Sequence, residues 1–238
     1  MADLVVQKWP ELGFIFKRQA ETDFPAAVGR CSEFLGVLKK PVVKLKSSGN
    51  VSLFSIPKPE DLHPTDLLHF SPSLMNNNVS EIKTEVELSV ATMGQDQRHR
   101  TIKRGQPGFS GKFYLPPIPD SLGLTNEAEK VFNTWLLVQK EIPESLGYVI
   151  APYGAMVKYQ KSGSYNATIH ELSKRLCFCA QEEIYHLTRS LREQLKDHPI
   201  VQIMAPSCVL TQKCGEGVRY CGRDMKKLKE NTFPERKI

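Results

Sequence analysis

Gln95, the triplet Arg98-His99-Arg100 and the step Ser110-Gly111-Lys112 fall within one stretch, GQDQRHRTIKRGQPGFSGKFY, at positions 94–114. Guanidinium groups make bidentate, charge-assisted hydrogen bonds to phosphate oxygens, and an ammonium adds a point charge. Gly105, Pro107, Gly108 and Gly111 interrupt these cations, and glycine lets backbone N–H groups come close to an anion. Asp96 is the only carboxylate in the stretch. The chemistry implied is recognition of a phosphorylated ligand, and a solvated basic loop is the competing reading. VELSVATM (86–93) precedes the stretch and alternates apolar with polar residues. The pattern predicts a half-buried strand running into a cationic turn or helix, then a glycine-punctuated loop.

A second set of residues lies downstream. Ile150-Ala151-Pro152 reads as a strand end and Asn166-Ala167-Thr168 as a helix opening, while Lys174-Arg175 precedes Ala180-Gln181-Glu182-Glu183-Ile184. Together the two sets resemble the flavin-dependent thymidylate synthases. In that family Q-x-x-R-H-R is followed after seven residues by S-x-R, and Leu-Pro, Asn-Ala-Arg and Ala-Gln-x-Glu-Ile steps follow downstream. The resemblance implies an α+β fold, a mainly antiparallel sheet flanked by helices. It implies FAD held by Arg98, His99 and Arg100, and a pyrimidine nucleotide held by Gln95, Ser110, Gly111 and Lys112, with Arg175 and Gln181 supporting the site. The activity implied is methylation of dUMP at C5, with NADPH and methylenetetrahydrofolate as co-substrates and no protein nucleophile. The family's members are homotetramers with sites shared between subunits.

The departures bear on substrate. The gap from Arg100 to Ser110 is two residues longer than the family's, Lys112 stands where the family has arginine, and Gly108 replaces a glutamate. Two nucleotide-binding arginines fall on Tyr148 and Thr168. Each lost guanidinium removes a charged hydrogen bond worth about 1.5–3 kcal/mol, unless Lys158, Lys161 or Lys174 compensates. A C5-methylase for UMP or another nucleotide, or a degenerate flavin- or nucleotide-binding partner subunit, are therefore the alternatives.

Composition frames these readings. The chain has 238 residues, 40% apolar and 24% charged, with 32 basic against 26 acidic side chains and a net charge of +6. That balance favours anionic ligands. Aromatics are not interleaved with the basic residues, which speaks against a nucleic-acid surface. No apolar run approaches a membrane span and no export signal is evident, so a cytoplasmic protein is expected. One domain is expected, with 1–80 poorly matched, 81–200 resembling the family core and 201–238 a cysteine-containing tail. His63 and His69 read as surface residues.

Several elements are expected to position these groups. A helix begins near Pro25 with Cys31 in its apolar face, and a strand covers Val51–Ile56. A helix over Thr125–Ile142 has Thr125 as N-cap and Val131, Trp135, Val138 and Ile142 as its stripe. Two short strands flank Pro152-Tyr153-Gly154. A helix capped by Asn166 runs to Cys177, and another continues to Leu195. In the tail, Cys208, Cys214 and Cys221 are spaced C-x5-C-x6-C. They suggest a zinc clip with a fourth ligand from Cys177, Cys179 or His198, unligated thiols being the competing reading.

Overall fold

The computed structural model describes residues 45–46, 49–67, 80–142, 146, 149–224 and 232–236. The helix expected from Pro25, together with Cys31, His69 and Tyr148, lies outside them. Strand β3 (Glu81–Ser89) follows its alternation, turning Ile82, Val86 and Leu88 to one face and Lys83, Glu85 and Glu87 to the other. Strand β6 (Ala155–Ser164) pairs with it antiparallel along its full length, with Val86 opposite Tyr159 and Leu88 opposite Val157. Strand β2 (Asn50–Ser55) joins β3 antiparallel, β5 (Gly108–Tyr114) joins β6 antiparallel, and β1 (Leu45–Lys46) joins β5 in parallel. The sheet order is β1-β5-β6-β3-β2, and the two-residue β4 (Lys103–Arg104) also pairs with β6.

Among the described residues the α-helices are α1 (Val90–Asp96), α2 (Pro117–Ser121), α3 (Thr125–Glu141), α4 (Tyr165–Arg175), α5 (Glu182–Gln194) and α6 (Ser207–Leu210). Phe132 and Trp135 of α3, Ile169 and Leu172 of α4, and Leu187 and Leu191 of α5 share one apolar core with Val86, Val157, Phe109 and Phe113 of the sheet. The fold is α+β, a mainly antiparallel sheet flanked by helices, as expected. Among the described residues, no helix is long and apolar enough to cross a membrane.

Several local expectations need correction. The strand leading to the basic stretch ends at Ser89, because Ser89 caps a helix: its Oγ accepts from Thr92 N at 3.1 Å. Helix α3 is capped at Leu124, not Thr125, and buries Phe132 and Trp135 while Val131 is 55% exposed. Of the expected stripe Trp135 is in the core, while Phe132 takes the place expected of Val131, its ring 4.4 Å from that of Phe113. Residues 149–150 form a turn, so only one strand adjoins Pro152, and β6 is long because β3 pairs it throughout. Asn166 lies inside α4; the cap is Ser164, whose Oγ accepts from Ala167 N.

Candidate functional site

The signature stretch begins at the junction between β3 and α1, and the second set of sequence motifs holds that junction. Glu183, fully buried in the first turn of α5, accepts from Ser89 N at 2.8 Å, Ser89 Oγ at 2.5 Å and Thr92 Oγ1 at 2.5 Å. Gln181 caps α5 by accepting from Ile184 N at 3.1 Å, and the same oxygen accepts from Thr92 Oγ1 at 2.9 Å. Burial pushes the Glu183 carboxyl up, and its hydrogen bonds from Ser89 and Thr92 act against that.

After α1 the chain turns around the guanidinium of Arg104. Arg104 donates to His99 O at 2.9 Å, to Ile102 O at 2.8 Å and to Asp96 O, and pairs with the Asp96 carboxylate at 2.5 Å. Asp96, 1% exposed, also accepts from Tyr159 Oη at 2.8 Å and from Lys161 Nζ; Lys161 in turn reaches Glu171 at 2.8 Å. Burial alone would raise the Asp96 carboxyl, but Lys161 and Arg104 outweigh it and hold the group well below the usual carboxylate range. The turn is thus a rigid object wound on a buried ion network.

Arg175 of α4 ties the turn to the helix layer by donating to Gln95 O. Its Nε and the Gln95 side-chain oxygen are buried without hydrogen-bond partners among the described residues. His99 is half-buried, its ring 5.7 Å edge-on from that of His170. Burial, then the charges of Arg175, His170 and Lys161, lower its pKa from 6.5 to about 3 against the pull of Asp96. The unfolded chain therefore binds a proton near pH 6.5 that the folded chain refuses, so His99 contributes stability above that pH and loses it as the pH falls toward 3. Denaturant titrations across this window should show a shallower acid loss for His99→Gln than for the native chain. Parallel curves would contradict the assignment. Arg98 and Arg100 are exposed; Arg98 N donates to Gln95 O at 3.3 Å, and neither guanidinium forms a hydrogen bond or ion pair among the described residues.

Ser110, Gly111 and Lys112 sit on a strand and not in the loop their glycines suggested. Phe109 pairs with Val157 and Phe113 with Ala155, so the three residues between them oppose Met156 alone. The result is a β-bulge, with Gly111 at φ +74° and open space where a side chain would stand. Bulges re-aim side chains and are frequent beside binding sites. Ser110 Oγ donates to Met156 O at 3.4 Å, and Lys112 pairs with Glu87 at 2.8 Å. Lys112 therefore projects from the charged face of the sheet, where Lys158 also pairs with Glu85 at 2.5 Å. The turn at 97–104 packs against the other, helix-covered face.

The structure thus brings Gln95, His99 and Arg175 together, holds Gln181 at the preceding junction, and sets the bulge apart from them. Of the three lysines expected to compensate at Tyr148 and Thr168, Lys161 is committed to Asp96 and Glu171, Lys158 to Glu85, and Lys174 is exposed. Thr168 is buried and lines, with Asp96, Lys161, Glu171 and Arg175, a cavity of about 40 Å³. That space admits roughly three waters. The roles of Asp96, Arg104, Glu171 and Glu183 went unread in the sequence. A lone carboxylate inside a basic stretch was the available signal for Asp96.

No protein-family model matches the chain, and no curated protein matches it. Among solved structures, the fold is similar to that of the UMP/dUMP methylase PolB from Streptomyces cacaoi. The form bound with 5-Br UMP aligns at 15% identity over 68% of this chain and 95% of that one, with a TM-score of 0.52. The form bound with 5-Br dUMP aligns at 14% identity over 67% and 95%, with a TM-score of 0.50. At this identity the likeness is one of fold.

Proposed function

We propose that the chain is a flavin-dependent methylase acting at C5 of a pyrimidine nucleotide, a distant relative of the flavin-dependent thymidylate synthases. The observation that carries this reading is the meeting of two separate motif sets: Gln181, Glu183 and Arg175 from the distal half fix the strand-to-turn segment that bears Gln95 and Arg98-His99-Arg100. The shared fold with a UMP/dUMP methylase supports it.

The residues present suit FAD. Arg98 and Arg100 are exposed guanidiniums on that turn with no partner among the described residues, the donor type a diphosphate takes. His99, kept neutral by its surroundings, offers a ring nitrogen without adding charge. When bound, the flavin supplies the reducing equivalents, drawn from NADPH, that turn a one-carbon unit from methylenetetrahydrofolate into a methyl group. The protein's part is binding and orientation. At the bulge, Lys112 exchanges Glu87 for the nucleotide phosphate, Ser110 supplies a hydroxyl, and the glycine at position 111 leaves the backbone open to close approach. Gln95 brings a side-chain oxygen with no partner among the described residues.

The turn and the bulge project from opposite faces of the sheet, so one site using both draws them from different copies; this supports a homo-oligomer, a tetramer as in the family. Thr168 brings no charge to the base, which leaves UMP and dUMP both open as substrates. Incubation with FAD, NADPH and methylenetetrahydrofolate should release tritium from C5-labelled dUMP or UMP, and the faster nucleotide is the substrate. Release from neither, with flavin bound, would favour the degenerate partner-subunit reading.

A further inference from the structure

Beyond the nucleotide chemistry, five cysteines converge on one spot. Cys177 and Cys179, just past the end of α4, and Cys208, Cys214 and Cys221, from the chain after it, line a single cavity of about 20 Å³ with Glu216 and Arg223. All five are free thiols. The segment that carries the last three has little else to hold it: α6 is four residues long, Leu210 and Tyr220 are each 43% exposed, and Val218 is fully exposed. A stretch that buries so few apolar side chains needs a cross-link or a metal to keep one conformation.

We propose that Cys177, Cys208, Cys214 and Cys221 form a structural zinc site that pins residues 205–224 to the end of α4. Cys208 lies within charge range of Cys177, Cys214 and Cys221, and Cys177 within range of Cys221. The Cys214 sulfur accepts the backbone N–H of Glu216 at 3.4 Å. The structure also chooses among the possible fourth ligands. Cys179 has its thiol engaged, donating to Arg219 O at 2.9 Å. His198 is occupied, its Nε2 2.9 Å from Pro57 O and its Nδ1 accepting from Ile200 N at 3.2 Å. Cys177 remains, and four thiolates in a tetrahedral array are a complete zinc set.

Among the described residues, no three Cys, His, Asp or Glu side chains are already drawn in around one point as metal ligands. Binding would therefore have to draw the thiols in around the metal as they lose their protons to it. The cavity these cysteines line, about 20 Å³, leaves room for one ion of that size.

The test is metal content of the full-length chain, reduced, exposed to excess zinc and desalted. About one zinc per chain is expected. Cys214→Ser and Cys221→Ser should each lose at least about nine-tenths of it, and Cys179→Ser should retain it. Cobalt(II) added to the reduced native chain gives a second readout that needs no variant, a thiolate-to-metal charge-transfer band with the spectrum of tetrahedral coordination. Less than about half an equivalent of zinc together with a cobalt spectrum of the aquo ion would overturn the proposal. So would equal zinc loss in Cys179→Ser and Cys214→Ser.

Discussion

Asp96→Ala is expected to destabilise the protein by about 3–5 kcal/mol, the usual cost of removing one partner from a buried ion pair. The carboxylate is 1% exposed and receives Arg104, Lys161 and Tyr159 at once. Without it, two cations share Glu171 alone, and the Arg104 guanidinium loses the anion that holds it inside the 97–104 turn. Asp96→Asn keeps the shape but not the charge and should recover part of the loss. The urea midpoint, read with an unchanged denaturant slope, measures both. The folded pKa of Asp96 is depressed, so its contribution is present above the carboxylate's ordinary range and fades as the pH falls through it. A loss under about 1 kcal/mol for Asp96→Ala would mean that the network does not hold the turn.

Glu183→Ala should be nearly as severe, about 3–4 kcal/mol, because it strands a backbone N–H and two hydroxyls that now donate to one carboxylate. The three bonds are not additive, since both hydroxyls can rotate to new acceptors. Glu183→Gln retains an acceptor oxygen and should cost about 1–2 kcal/mol. The position of the loss matters as much as its size. Ser89 and Thr92 open α1, so amide exchange should quicken first across 89–96 and the turn beyond, before β6 loosens. Uniform quickening across the sheet would show that Glu183 serves the core and not the junction.

How much of this was legible in the sequence varied with the physics involved. The alternation of VELSVATM pointed to a strand with one buried face, though the strand spans Glu81–Ser89, and the stretch from Ala180 to Leu195 read as the helix that is α5, because periodicity reports burial directly. In α3 the core position of Trp135 was legible, but Val131 and Phe132 are both apolar, and it is Phe132, against the Phe113 ring, that faces inward. The glycines at 108 and 111 read as a loop, since a β-bulge needs the same backbone freedom as a turn and differs only in having a partner strand. Arg98, Arg100 and Lys112 were visible as cations. That Arg104 would be spent inside the turn, while Arg98 and Arg100 stay outside, depends on Asp96, Lys161 and Glu171, which come from three separate parts of the chain. Glu171 and Lys161 are ten residues apart on adjacent elements, a spacing that carries no motif.

The central claim is that the turn bearing Arg98, His99 and Arg100 holds a flavin, and the flavin content of the purified chain and its turn variants tests it most directly. After reconstitution with FAD and desalting, the native chain should keep about one flavin per chain, visible in its absorption spectrum. Arg98→Ala and Arg100→Ala, both exposed positions, should lose most of it while melting as the native chain does. A native chain that stays colourless, or variants that keep their full flavin, would contradict the account.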